Sequence, residues 1–175
     1  MTTRTQLLTL CSSFLLTACQ ASLPPLETVE YVDLERFMGD WYVIANIPTF
    51  VEKGAHNAVE SYQLDADGTI ATRFTFNKDS FDGKKKEYQP RGFVLNTETN
   101  AEWAMQFVWP FKGDYRIIYL ADDYSATIIG RNKRDYVWLM ARSPELSDEQ
   151  YAEAVSLIAA AGYDTTQLQR VPQRW

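Results

Sequence analysis

Val32-Asp33-Leu34-Glu35-Arg36-Phe37-Met38-Gly39-Asp40-Trp41-Tyr42-Val43-Ile44-Ala45 opens the stretch whose reading decides the fold, and Trp138-Leu139-Met140-Ala141-Arg142-Ser143-Pro144 closes it. Between Trp41 and Ser143 the chain is a run of short apolar segments with turn signals every 8–15 residues. These signals are Asp65-Ala66-Asp67-Gly68, Asp82-Gly83, Asn96-Thr97-Glu98-Thr99-Asn100, Lys112-Gly113-Asp114 and Arg131-Asn132-Lys133. Such punctuation predicts strands joined by tight turns. Eight strands are expected, at about 41–47, 57–64, 69–77, 86–95, 102–109, 114–121, 125–130 and 135–143. Sequential strands with short connections favour an up-and-down meander, and eight is the number that closes into a ligand-sized antiparallel barrel. The fold class read from the sequence is therefore all-β, with one helix after the last strand.

Gly39-x-Trp41, Asp122-Asp123-Tyr124 and the late Arg142 occur in the order of the three signature motifs of the lipocalins, which this chain resembles from about Tyr31 to about Leu168. Phe50-Val51-Glu52-Lys53-Gly54 and Trp109-Pro110-Phe111-Lys112-Gly113-Asp114-Tyr115 are similar to blocks of the bacterial outer-membrane subgroup. The second motif departs from the family, with Asp122 where a Thr is usual. The resemblance implies that Gly39, Trp41, Asp123, Tyr124 and Arg142 build the closed end of the barrel, with Arg142 stacked across the Trp41 ring. The chemistry suits that role, because a guanidinium over an indole face is a strong cation–π pair.

Strand side chains alternate, so one anchored residue fixes the phase of its strand. If Trp41 points inward, Val43 and Ala45 follow. If Arg142 reaches Trp41, then Met140, Trp138 and Tyr136 line the same wall. Matching the second strand to the family pattern through Asp67-Gly68 turns Ala58, Glu60, Tyr62 and Leu64 inward. On the fifth strand Trp103, Met105, Phe107 and Trp109 alternate with Ala104, Gln106 and Val108, and family alignment turns Ile117 and Tyr119 inward on the sixth. The expected interior is aromatic and Met-containing, as a site for a long apolar ligand requires. A barrel simply filled by these side chains is the alternative. Glu60 is the one charge expected inside. Near the mouth it would bond an inward Tyr or a water, or favour zwitterionic over carboxylate headgroups.

Ser147 and Gln150 form a capping box for the helix, with Leu146 and Tyr151 at staple positions. Tyr151, Ala154, Val155, Ile158 and Ala159 fall on one face, and Gly162 ends the helix. The stripe is expected to pack on the outside of the barrel.

At the start of the chain Leu7 to Leu16 form an apolar stretch too short to span a bilayer, and Leu16-Thr17-Ala18-Cys19 fits a lipoprotein signal. Residues 1–18 are read as the signal peptide, Cys19 as the lipidated residue, 19–30 as a tether made extended by Pro24-Pro25, and 31–175 as the domain. More than one acyl chain on Cys19 would meet the two-signal requirement for stable anchoring. Gln20 in place of Asp after the Cys points to the outer membrane, facing the periplasm. The chain has a net charge of −6, which becomes −7 without residues 1–18. That acidity argues against nucleic acid, and against an anionic bilayer held through net charge alone. With Cys11 in the signal and Cys19 lipidated, no disulfide is available and the core must hold the fold.

His56 is the single histidine, and no nucleophile–base pair, His/Cys cluster or calcium loop is apparent in the sequence. No catalytic residue, metal or cofactor is expected, and Lys84-Lys85-Lys86 reads as a solvated hairpin turn, with a headgroup contact as the sharper alternative. The resemblance implies a membrane-anchored binding protein for a fatty acid or lysophospholipid, serving envelope lipid storage, scavenging or transport. A structural lipoprotein with a filled barrel and an isomerase-type enzyme are the alternatives, and self-association as a homodimer is left open.

Overall fold

The computed structural model describes residues 23–175, so Cys19 and the signal segment lie outside the described residues. A single turn of helix, α1 (Leu34–Phe37), precedes β1 (Gly39–Ile47), β2 (Ala55–Leu64), β3 (Thr69–Lys78), β4 (Lys85–Tyr88), β5 (Arg91–Val94), β6 (Glu102–Val108), β7 (Phe111–Leu120), β8 (Ala126–Gly130) and β9 (Val137–Ala141). Helix α2 (Asp148–Ala160) and a short β10 (Gln169–Arg170) complete the chain. Consecutive strands pair antiparallel, except that β4 and β5 both pair with β3 and β10 lies on β1, and β9 returns to β1 to close the barrel. The expected fourth strand, 86–95, is built in two pieces, β4 and β5, both paired to β3. The break falls at Gln89-Pro90, because proline has no N–H to give the ladder. Counted around the barrel, the eight expected strand positions are all filled.

Two hydrophobic clusters share the wall. The inner one contains Trp41, Val43, Ala58, Tyr62, Ile70, Phe74, Phe76, Trp103, Met105, Ile117 and Met140. The outer one lies under α2 and joins Ile44, Ala45, Ile47, Ile128, Val137 and Leu139 to Ala154 and Ile158. The Ser147–Gln150 capping box forms, and Ala154 and Ile158 are the buried residues of the helix. Ala159, expected on that face, is exposed. Gly162 ends the helix with φ +90°, and Tyr163 N–H returns to the Ile158 carbonyl.

Two expected inward residues, Ala45 and Tyr119, face the outer cluster instead. β1 carries a bulge between Val43 and Ala45, where Val43 pairs with Met140 and Ala45 with Leu139. β7 carries another between Ile117 and Tyr119, which pair with Ile129 and Ile128. A bulge inserts one residue on one strand and reverses the phase beyond it.

The tether expected over 19–30 is shorter than that span. Leu26 is buried in the outer cluster, its N–H donates to the Asn132 side chain (2.8 Å), and Val29 N–H donates to the Ile117 carbonyl (3.0 Å). Gly130 makes this docking possible, since a Cβ there would lie 2.9 Å from Leu26 Cδ1 and 2.7 Å from the Tyr163 hydroxyl. At the other terminus the chain packs along β1 and β2 where they part. Their pairing stops at Tyr42–Val59, and Gln173 then donates to the carbonyls of Val43 (2.8 Å) and Ala58 (3.2 Å). Residues 23–175 thus close their own sheet and bury their own core, and so constitute an independent folding unit.

The closed end is a stack of rings under one guanidinium. Phe37 sits 5.0 Å from Trp41, 5.7 Å from Tyr62 and 5.5 Å from Trp103, centroid to centroid. Arg142 Cζ lies 3.8 Å from the Trp41 ring centroid. Its Nη2 donates to the carbonyls of Arg36 (2.8 Å), Phe37 (3.0 Å) and Met38 (2.8 Å), and its Nη1 to that of Asp40 (2.8 Å). The first three are carbonyls at the end of the one-turn helix, where intrahelical partners run out, and that of Phe37 also accepts from the Trp41 indole N–H (2.9 Å). Gly39 adopts φ +93° and passes so close that a Cβ would be 3.4 Å from Arg142 Nη1. In the second motif Asp123 accepts from Ser125 N–H (2.9 Å), and Tyr124, itself at φ +63°, accepts from Asp33 N–H (2.9 Å) through its hydroxyl. Arg142→Ala is expected to lower unfolding free energy by about 3 kcal/mol, from the lost cation–π contact and the lost donor to the carbonyls of Arg36, Phe37, Met38 and Asp40. Arg142→Lys should recover less than half of that, because an ammonium cannot span the same acceptors. Chemical denaturation of the three proteins measures both.

Candidate ligand-binding cavity

Sealing one end leaves room at the other. A cavity of about 460 Å³ lies above the ring stack. Its walls are Phe74 on β3, Tyr88 on β4, Met105 and Phe107 on β6, Tyr115 on β7 and Trp138 on β9. The loop between β1 and β2 crosses the mouth, where Phe50, Val51, Val108, Phe111, Lys112 and Arg131 also line the opening. Glu52 holds that loop in place. Its carboxylate accepts from the Trp138 indole N–H (2.7 Å) and from Thr49 N–H (2.8 Å), and it is only 5% exposed.

Glu60 lies at the floor, not near the mouth. It pairs across the ladder with Trp41, and its neighbour on the same face, Tyr62, belongs to the ring stack. The Tyr62 hydroxyl donates to the Glu60 carboxylate, and the Tyr115 hydroxyl lies 2.7 Å from that of Tyr62. When Glu60 is ionised, the Tyr62 O–H donates a hydrogen bond to the carboxylate and the Tyr115 O–H donates to the Tyr62 oxygen in turn. Burial raises the Glu60 pKa to about 7, opposed by the Tyr62 hydrogen bond and reinforced by the charge of Glu52. Burial also holds both tyrosines well above the usual phenol value, so they remain neutral donors. Glu60 therefore lies away from the mouth, which corrects the expected placement.

Of the other expected lining residues, Val43, Ala58, Trp103, Ile117 and Met140 lie in the inner core, mostly below the open volume. Met105 and Trp138 are on the cavity wall, and Phe107 is at its rim, 55% exposed. Ala45 and Tyr119 are outside the barrel through the two bulges. Tyr136 is half-buried beside Trp138, with the Arg131 guanidinium 5.2 Å from its ring, and does not line the cavity. Trp109, expected inward, projects from the β6–β7 turn at 82% exposure. The register of β6 slips between Met105 and Val108, which ends the alternation before Trp109. Sequence reasoning missed Phe74, Tyr88 and Glu52. The alternation Ile70-Thr72-Phe74-Phe76 could have revealed the first, whereas the latch made by Glu52 has no local signature.

The lipocalin-like domain model matches residues 32–173. The chain belongs to the lipocalin family. This lipocalin is 28% identical over 165 residues to the outer membrane lipoprotein Blc of Escherichia coli strain K12, covering 93% of this chain and 92% of that protein. It is 29% identical over 157 residues to temperature-induced lipocalin-1 of Arabidopsis thaliana, with 85% and 83% of the two chains covered. Among solved structures, insecticyanin from the tobacco hornworm Manduca sexta superposes with a TM-score of 0.66 at 15% identity, over 85% of this chain and 84% of that one. That likeness is one of fold alone.

The floor carboxyl gives this lipocalin a pH-dependent stability. In the unfolded chain Glu60 titrates near 4.5, and in the barrel near 7. Between these values the native state holds a proton that the unfolded state has released, so the contribution of Glu60 to stability falls as pH rises through that window. Glu60→Gln keeps the partner of Tyr62 without the charge. Its unfolding free energy relative to wild type is expected to rise from pH 5 to pH 7.5, by at most about 1.4 kcal/mol per pH unit, and to level off above. Denaturation across that range checks the sign.

Proposed function

We propose that this lipocalin is a binding protein for an amphiphile with a single long acyl chain, a fatty acid or a lysophospholipid, held tail-down in the barrel. The observation that carries the reading is an apolar-walled cavity of about 460 Å³, shut at one end by the Trp41 ring stack and open at the other. An acyl tail gains from each methylene it buries, and a headgroup left at the mouth stays hydrated beside Lys112 and Arg131. We propose binding and not catalysis: His56, at the rim, contacts the Gly54 carbonyl and the edge of Phe81, and meets no nucleophile there. The relatives named outer membrane lipoprotein, together with the Leu16-Thr17-Ala18-Cys19 motif, support anchoring at Cys19 in the outer membrane and a role in envelope lipid storage, scavenging or transport.

Lipid extraction and mass spectrometry of the protein purified from cells should yield single-chain amphiphiles at near-stoichiometric amounts. With a lysophosphatidylcholine series, affinity should rise about four-fold per added methylene and then level off once the cavity is full. Affinity independent of chain length would overturn the reading. Metabolic labelling with an acyl analogue tests the anchor separately: label should enter the wild type and be absent from Cys19→Ser, whose residues 23–175 still fold.

A further inference from the structure

We propose that the rim of the cavity mouth is a membrane-docking surface, which sets the barrel mouth-down on a bilayer carrying anionic headgroups. Two segments at that end present large apolar side chains to solvent. Phe50 is 82% exposed in the β1–β2 loop, while Val108, Trp109 and Phe111 are 67%, 82% and 76% exposed at the β6–β7 turn. Phe50, Val108 and Phe111 border the same cavity opening, with Trp109 between the last two in sequence. Patches of this kind on a soluble domain mark interaction surfaces.

The charges around the rim say what it meets. Lys53 and Lys112 are its immediate neighbours in sequence, and the hairpin bearing Lys84, Lys85 and Lys86 is held to the same end. Asp79 N–H donates to the Gly54 carbonyl, and Lys78 Nζ to that of Lys53. None of these five flanking lysines forms an ion pair among the described residues. The acids at this end are largely occupied: Asp79 by Lys78, Asp82 by Arg174, Asp114 by Arg116, Asp135 by Arg131, and Glu52 by its hydrogen bonds within the mouth. The closed end carries Asp33, Glu35, Asp40, Asp65, Asp67, Asp122 and Asp123 against Arg36, Arg91 and Arg142, with Asp65 and Asp67 paired to Arg91. A chain of net charge −6 therefore presents a basic, aromatic tip. Aromatic side chains partition into the headgroup region and flanking lysines are drawn to anionic lipid, so the two features reinforce each other on a bilayer. A second copy of this chain set mouth to mouth would bring the lysines of one against those of the other. The consequence is direct exchange: the cavity opens where the chain meets the source of acyl lipid.

The test uses residues 20–175, which contain the whole folding unit and lack any lipid anchor, in sedimentation with vesicles and without added ligand. Vesicles of phosphatidylcholine containing phosphatidylglycerol should bind about ten-fold more protein than pure phosphatidylcholine, with the excess lost at high salt. Lys84→Glu/Lys85→Glu/Lys86→Glu should remove that excess. Trp109→Ser, which lies off the cavity wall, should weaken vesicle binding several-fold while leaving the affinity for lysophosphatidylcholine below its micellar concentration unchanged. Emission from Trp109 should shift to the blue on vesicles and be quenched by lipids brominated in the acyl chain. Equal partitioning of wild type and variants, or no binding to either vesicle, overturns the proposal without touching the ligand reading. A concentration-dependent dimer abolished by Trp109→Ser also overturns it and assigns the rim to a second copy.

Discussion

One guanidinium organises this barrel. Arg142 comes from just beyond the last strand of the closed sheet, covers the indole of a residue in the first, and takes four carbonyls from the turn that leads into it. A barrel of eight strands must be stopped at one end if it is to be empty at the other, because an open tube would hold water and lose the apolar environment. The stop is a stack of Phe37, Trp41, Tyr62 and Trp103, and rings pack there because a short helix pushes Phe37 up from below. The helix persists because Asp33 caps its start, accepting from Glu35 and Arg36 N–H, while Arg142 satisfies its end. Seal, cavity and ladder closure between β1 and β9 are thus aspects of one contact.

The architecture was legible because its signals are local or come as motifs. The strand positions follow from turn residues, and the helix from Ser147, Gln150 and the Ile158 stripe. Trp41 and Arg142 met as the family resemblance implied. What the sequence concealed were phase changes. Nothing in Val43-Ile44-Ala45 or Ile117-Ile118-Tyr119 announces a bulge, since all these residues suit both faces of a wall buried on both sides. Beyond each bulge strict alternation assigns the wrong face. The packing of Leu26 and Val29 was hidden for a different reason. Their partners, Asn132 and Ile117, are about ninety or more residues away, and a proline-containing leader reads locally as a spacer.

The bulges also explain how one wall serves two cores. On β1 the half nearer the mouth offers Ala45 and Ile47 outward to the layer under α2, while Trp41 and Val43 point inward. On β7, which runs from the mouth to the closed end, Tyr115 and Ile117 point inward and Tyr119, nearer the closed end, turns outward. A strand of unbroken period can do only one of these well. One inserted residue in each lets Val43 and Ile117 join the inner cluster while Ala45 and Tyr119 turn to the outer one. Gly130 completes the outer layer by leaving space for Leu26 and the Tyr163 hydroxyl, which exchanges hydrogen bonds with the Arg131 backbone.

Polarity inside the cup is placed by the same logic. A carboxyl in an apolar cavity is tolerable only where donors can reach it, and the ring stack supplies them: Tyr62 and Tyr115 are stack members whose hydroxyls point to its upper surface. Glu60 therefore sits where the seal meets the cavity, bonded from below and open above. A bound apolar tail would remove water from the ionised form and push its pKa higher still. Under the proposed binding of an acyl tail, occupancy and protonation of Glu60 would each favour the other. At the opposite end Lys84 and Lys85 are exposed and the Lys112 ammonium lies over the Phe93 ring. The cavity thus runs from a cationic entrance to a floor whose charge can be neutralised by a proton, and that gradient suits an amphiphile whose polar end stays outside.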